Sequence, residues 1–308
     1  MEINLSNFYL SLGVIAIIIM LGFFLGKKKL IDKNTNSHLV NLLLSVFMPA
    51  SLFNAFPKTY SDELSNLFFM GLGGGFVMML LVIIAAKIVY NKKFFKGALS
   101  DEAQFAFAFN NATFLGYPII LTAFGERGVI PYCGFIIAFN LALFSYGVWL
   151  FEHKISKKFF INCLTNPNII AVILGMILFL LHIQLPELLT SSVSYVASAT
   201  TPISLICIGF TLSMADIKQS LKKWKLLIVA AIQLIFAPLI TFFVIKWLGF
   251  PSEVIIICTL IQALPTATSL GLFAEKYGGN VAESSELVVI STLMSIITLP
   301  AVITVLLI

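Results

Sequence analysis

Charge is scarce in this sequence. Only 11% of its 308 residues are Asp, Glu, Lys or Arg, against about 25% in a soluble domain. A chain so poor in charge cannot cover a water-facing surface in the ordinary way, and its apolar content excludes a disordered chain. Cysteine is also sparse. Cys133, Cys163, Cys207 and Cys258 lie in or beside apolar runs, without the spacing of a disulfide framework or zinc site, and read as small packing residues. No HExxH, mid-membrane aspartate pair or Ser/His dyad occurs, which argues against an intramembrane enzyme. No metal ligand set and no cofactor are expected. Apolar segments fill the length, leaving no room for the output domain that a sensor needs.

What the chain has in abundance is apolar surface: 59% of the residues are hydrophobic and the mean hydropathy is +1.03. A bilayer-spanning helix needs about 20 such residues. Ten segments qualify: Leu5 to Gly26, Leu39 to Phe56, Leu64 to Ile88, Ala103 to Phe124, Val129 to Phe151, Ile169 to Ile183, Leu188 to Leu212, Leu226 to Leu248, Val254 to Ala274 and Glu286 to Leu307. The expected fold is an all-α membrane protein with ten transmembrane helices.

The basic residues sort by loop. Sixteen follow odd-numbered spans (Lys27, Lys28, Lys29 and Lys33; Lys87, Lys92, Lys93 and Lys96; Lys154, Lys157 and Lys158; Lys218, Lys222, Lys223 and Lys225; Lys276), and only Lys58, Arg127 and Lys246 fall elsewhere. Basic loops stay in the cytoplasm, so both termini are expected outside the cell's inner (plasma) membrane. The first segment opens with Glu2 and runs on into lysines, and so reads as a retained span, not a leader.

Two internal matches point to a repeat. Pro49-Ala50-Ser51-Leu52 resembles Pro202-Ile203-Ser204-Leu205 at an offset of 153, and Ala112-Thr113-Phe114-Leu115-Gly116 resembles Ala267-Thr268-Ser269-Leu270-Gly271 at an offset of 155. They pair the second span with the seventh and the fourth with the ninth. Five spans per repeat is an odd number, so residues 1–155 and 156–308 are expected as two inverted five-helix repeats.

The fourth and ninth spans carry Pro118 and Pro265. A proline inside a helix removes a donor and displaces the carbonyl four residues earlier, here that of Phe114 or Ile261. Freed groups in hydrocarbon must find protein, water or ligand. The most polar embedded stretches lie beside these prolines: Asn110, Asn111, Thr113 and Gly116 in one, Gln262, Thr266, Thr268, Ser269 and Gly271 in the other. Asn110 lies nine residues past Asp101 and Gln262 nine past Glu253, so each sits about 14 Å deep, at 1.5 Å per residue, from opposite sides. The breaks are expected to cross near the midplane. Half-helix N-termini there suit a carboxylate, and half-helix C-termini suit a cation.

Other features carry two readings each. Gly71, Gly73, Gly74 and Gly75 suit close helix packing or a sliding surface. Pro49 and Pro202 line the site or kink their spans. Asn140 and Tyr146 in the fifth span face the site or bond between helices. His182, near a span end, fits an interface better than a proton relay. No Asp, Glu, Lys or Arg lies deep in a span, which favours uniport or coupling through amides over a buried ionisable relay, with a proton route through Glu275, Glu286 or Asp101 near the membrane edges as the alternative.

The stretch QALPTATSLGLFAEKYGG, the Asn166-Pro167-Asn168 triplet, and Asn110-Asn111 followed by Leu115-Gly116-Tyr117-Pro118 together resemble the auxin efflux carrier family, which includes plant PIN-type transporters and bacterial dicarboxylate carriers. The resemblance covers the chain in span order. It implies a bile-acid-symporter-like fold, with spans 1, 2, 6 and 7 as a dimeric scaffold and spans 3–5 and 8–10 as a mobile transport domain. It also implies elevator-type secondary transport of small organic anions, by export or exchange. By the same resemblance Asn110, Asn111, Pro118 and Pro265 fall in the crossover, and Ser51 and Ile203 on the scaffold side of the pocket. The loop from about Glu152 to Thr165 is short and the third span shows no Asp–Lys pair, unlike plant members, which favours small carboxylates over auxin. A sodium-coupled symporter is the nearest rival and a channel a further one. The expected partners are the anion, membrane lipid and a second copy of the chain, with no nucleic acid.

Overall fold

In a computed structural model, residues 5–56, 61–91, 99–153, 161 and 165–307 are described. Lys58, Lys92, Lys93, Lys96, Lys154, Lys157, Lys158 and Cys163 lie outside them. The described residues form helices with no strand among them: α1 (Leu5–Lys27), α2 (Lys33–Asn54), α3 (Asp62–Val89), α4 (Leu99–Ala108), α5 (Ala112–Glu152), α6 (Pro167–Leu180), α7 (Glu187–Met214), α8 (Trp224–Trp247), α9 (Ser252–Ala263), α10 (Leu270–Tyr277) and α11 (Val281–Leu307).

Seven of these, α1, α2, α3, α5, α7, α8 and α11, are long and apolar enough to cross a bilayer on their own. The expected sixth span is a helix of only 14 residues. The fourth and ninth spans are divided, into α4 with the first arm of α5, and α9 with α10. The fifth continues from the fourth within α5, across Gly125. Its φ of +64° turns the helix there, a conformation open to glycine because it lacks Cβ.

Local chemistry sets the helix ends. Ser61 caps α3, Asp62 and Glu63 occupy its first turn and Lys87 its last, matching the helix dipole. Asn166 accepts hydrogen bonds from the N–H groups of Asn168 (2.9 Å) and Ile169 (3.3 Å), with Pro167 in the first turn. The Asn-Pro-Asn triplet is therefore a helix start. Helix α8 is bracketed by exposed Trp224 and Trp247, each beside a lysine, as at the two faces of a membrane.

Packing divides into two groups. Helix α1 lies along α7, and α2 lies against α6 and α7; α3 packs on α5, and α8 on α9 and α11. Backbones touch where glycines allow it. A Cβ on Gly71 would stand 2.2 Å from the Pro131 carbonyl oxygen, and one on Gly134 2.2 Å from that of Phe68. Close packing therefore accounts for Gly71, while Gly73 meets only the Phe250 ring edge, at 3.8 Å.

Candidate functional site

The first break falls earlier than the proline rule indicates. Residues Phe109 to Asn111 leave the helix, a wide turn covers Ala112–Gly116, and Pro118 enters within the first turn of the regular helix that follows. Proline is tolerated there because its missing N–H has no helical partner to lose. Pro265, by contrast, stands inside the second break, between the end of α9 and the start of α10.

The two breaks pair as a short antiparallel bridge between Asn110 and Thr266. The Asn111 N–H donates to the Pro265 carbonyl (2.7 Å), and the Ala267 N–H to that of Phe109 (2.9 Å). Asn110, fully buried, donates its amide to the carbonyls of Gln262 (2.7 Å) and Leu264 (2.9 Å). Both of its donors are consumed by the protein, so Asn110 holds the crossover together and has none to offer an anion. Asn111 caps its own break, accepting from the Phe114 N–H at 3.2 Å.

The second break depends on side chains from other helices. Gln233, alone in the apolar stretch of α8, donates to the Leu264 carbonyl at 2.9 Å and accepts from the Thr266 hydroxyl at 3.1 Å. Ser291 of α11 accepts from the Thr266 N–H at 3.1 Å. Gln262 donates to the sulfur of Met78 at 3.7 Å. Sequence reasoning overlooked Gln233 and Ser291; a single glutamine in a 24-residue apolar helix was the available signal.

Beyond this bridge, α10 begins with no side-chain cap. The N–H groups of Thr268 and Ser269 make no hydrogen bond among the described residues. Thr268, Ser269 and Leu272 line a cavity of about 330 Å³, closed on the other sides by Lys33, Asn36 and Asn41 of α2, Thr211 of α7 and Phe114. That volume lies within the range of about 300–1,000 Å³ seen for small-molecule sites. The cavity thus lies between the two packing groups and combines an uncapped helix N-terminus with one lysine, a chemistry suited to an anion. Lys33 had entered the sequence reading only as an orientation marker.

Several expected residues lie elsewhere. Ser51 bonds the Ala197 carbonyl (3.0 Å) and the Thr200 hydroxyl (2.6 Å), tying α2 to α7. Ile203 is partly buried on α7, packed against the core. Asn140 donates back to the Ile136 carbonyl of its own helix at 2.8 Å. Thr113 is partly buried in the turn leaving the first break. Two acids are more enclosed than a charge count suggested: Glu102 is 1% exposed and Glu253 9%.

Comparison with known proteins agrees with this architecture. A family described as "Membrane transport protein" matches residues 9–155 and 151–303. An "Uncharacterized transporter" of Methanothermobacter thermautotrophicus is 23% identical over 297 residues, covering 93% of this chain and 94% of its own. A second, of Methanocaldococcus jannaschii, is 26% identical over 216 residues, covering 67% and 69%. A "Putative malonate transporter" of Rhizobium meliloti is 23% identical over 262 residues, covering 82% and 81%. The family and these relatives are transporters, not enzymes. The chain belongs to the membrane transport protein family, to which the auxin efflux carriers that it resembles also belong.

Proposed function

We propose that this protein is a secondary transporter of small organic anions, with dicarboxylates such as malonate as the substrate class, working by export or exchange. The observation that carries the reading is the uncapped start of α10, where unpartnered N–H groups and Lys33 share one cavity. A dicarboxylate can place one carboxylate at the helix end and the other at the lysine. The name of the Rhizobium relative points to the same class.

In this reading α4 with the first arm of α5, α9 with α10, and the short α6 count as spans, giving ten in two inverted repeats, 1–155 and 156–308. Helices α1, α2, α6 and α7 act as a dimeric scaffold, and the remainder moves as an elevator carrying the crossover. Two supports are the division of packing between these groups and the cavity between them. A third is a parallel pattern of contacts. Arg127 pairs with Glu63, joining α3 to α5, and Lys223 reaches Glu286 (2.6 Å), joining the start of α8 to α11. The lysine distribution supports a plasma-membrane orientation with both termini outside.

The test is counterflow of labelled malonate, malate and indole-3-acetate into liposomes holding the purified protein. Saturable exchange of a dicarboxylate supports the reading; conductive single-channel currents or no exchange of any carboxylate overturn it. Sodium-coupled symport is the second reading, favoured by the buried side-chain oxygens of Asn110 and Gln262, which lack hydrogen-bond partners among the described residues. A sodium gradient imposed in the same liposomes separates the two.

A further inference from the structure

Glu102 opens α4 one residue ahead of the apolar segment that starts at Ala103. Its Oε1 accepts the Asn280 N–H, at the start of α11, at 2.8 Å, while its Oε2 is buried with no hydrogen-bond partner among the described residues. A carboxylate enclosed in this way needs a cation or several donors to remain ionised. Among the described residues, the cations on the helices packed around α4 are engaged elsewhere. Lys87 of α3 lies 5.0 Å from the Tyr146 and Trp149 rings, and Lys223 bonds Glu286. Lys225 of α8 stands over Trp224 and Lys276 of α10 over Tyr277. His153, after α5, is 3.7 Å from Asp101.

Among the described residues, the charges that act on Glu102 are acidic, Asp101 on its own helix and Glu283 on α11; Glu152, Glu275 and Glu286 on the neighbouring helices add no positive charge. Burial, above all, pushes its carboxyl above the usual glutamate range, and the Asn280 N–H only partly opposes this.

We infer that Glu102 is a proton-binding site of the carrier and that anion movement is linked to the proton it takes up and releases. The placement gives the linkage a route. Glu102 stands eight residues before Asn110 on the helix that ends at the first break. It also holds the start of α11, the helix whose Ser291 accepts from Thr266 at the second. The linkage, though not the protonation itself, rests on the transport reading above.

The experiment joins two measurements on the purified full chain and on Glu102→Gln, which keeps an acceptor for the Asn280 N–H. Infrared difference spectra follow the protonated-carboxyl band through a pH titration, without any transport. Malonate counterflow is followed in liposomes with a trapped pH dye. The expected result is a band that Glu102→Gln removes, together with proton movement accompanying malonate in the unmodified protein. Its rate should change with pH by up to about tenfold per unit, the limit for one linked proton, and the variant should exchange malonate with a flat pH profile. A carboxyl that titrates within or below the usual glutamate range, or a band unchanged in the variant, overturns the proton site. An intact band with pH-insensitive exchange in both proteins overturns the linkage and leaves the transport reading standing. An intact band with no carboxylate exchange overturns transport and linkage together, while upholding the proton site.

Discussion

At the first break the chain supplies its own partners. Asn111 caps the turn that follows it, and Asn110 extends its amide to two carbonyls of the other break. At the second break the chain supplies almost none: Asn110 arrives from the first break, and Gln233 and Ser291 from α8 and α11. The local sequences explain the difference. Two adjacent asparagines carry donors and acceptors on short side chains, whereas Leu264-Pro265 carries none and lacks one backbone donor. One break is therefore built to hold, and the other is held. The helix after the first is capped by Asn111, and the helix after the second has N–H groups beside the cavity that are unpaired among the described residues. On the proposed function, two segments that match in sequence take a structural and a receptive role.

That contrast can be broken in graded steps. Asn110→Ala strands the Gln262 carbonyl in the interior and leaves the Leu264 carbonyl with Gln233 as its remaining donor, at about 1–3 kcal/mol for each unmade bond. It should cause the largest fall in thermal unfolding temperature of the purified protein; a loss no greater than that of Asn140→Ala would contradict the holding role. Gln233→Leu removes one bond to Leu264 and one from Thr266, although Asn110 still serves Leu264. About 1–3 kcal/mol is expected, read from the denaturant midpoint, and Asn110→Ala should add less than its full effect in the double variant. Asn111→Ala deletes a single cap and should cost about 1 kcal/mol in the same measurement.

The receptive side calls for binding assays. Lys33→Met should leave unfolding unchanged and raise the half-saturating malonate concentration about two- to fivefold, as fits an exposed charge worth up to about 1 kcal/mol. An unchanged value would place the anion away from this cavity.

The acids that open α4 and α9 extend the comparison to pH. Burial raises Glu253 as well, but its own backbone N–H, the Ser252 hydroxyl and Arg127 outweigh it and hold the carboxyl below the usual range. Its stabilisation is present above the unfolded value and lost as pH falls through the lowered one. Glu102 has the opposite sign: its contribution is present at low pH and lost as pH rises through the raised value. Unfolding temperatures from about pH 4 to about pH 9 should show Glu253→Gln flattening the limb below the usual glutamate range and Glu102→Gln the limb above it, each by a few degrees at most. The same limb affected in both would remove the distinction.

Much of this was legible beforehand. Apolar periods located the helices, and the polar stretches at Asn110 and Gln262 marked both breaks. The position of the first break was misread because a proline was assumed to act where it stands. A wide turn upstream moved the irregularity back to Phe109–Asn111 and let Pro118 begin a regular helix. Ser51 and Asn140 were drawn toward the site by motif and polarity, yet Ser51 bonds α7 and Asn140 its own helix.

By itself the sequence determined residence in the bilayer, the helical segments and the polarity of two interruptions, because hydrophobicity and backbone donors are properties of short stretches of chain. Only the tertiary structure decided which polar groups are spent and which are open. The Asn110 amide meets carbonyls 152 and 154 residues away, and Gln233 acquires its role only once α8 lies against the second break. Hydrogen bonds are fixed by distances of about 3 Å, and no local pattern encodes which distant atom will stand at that separation.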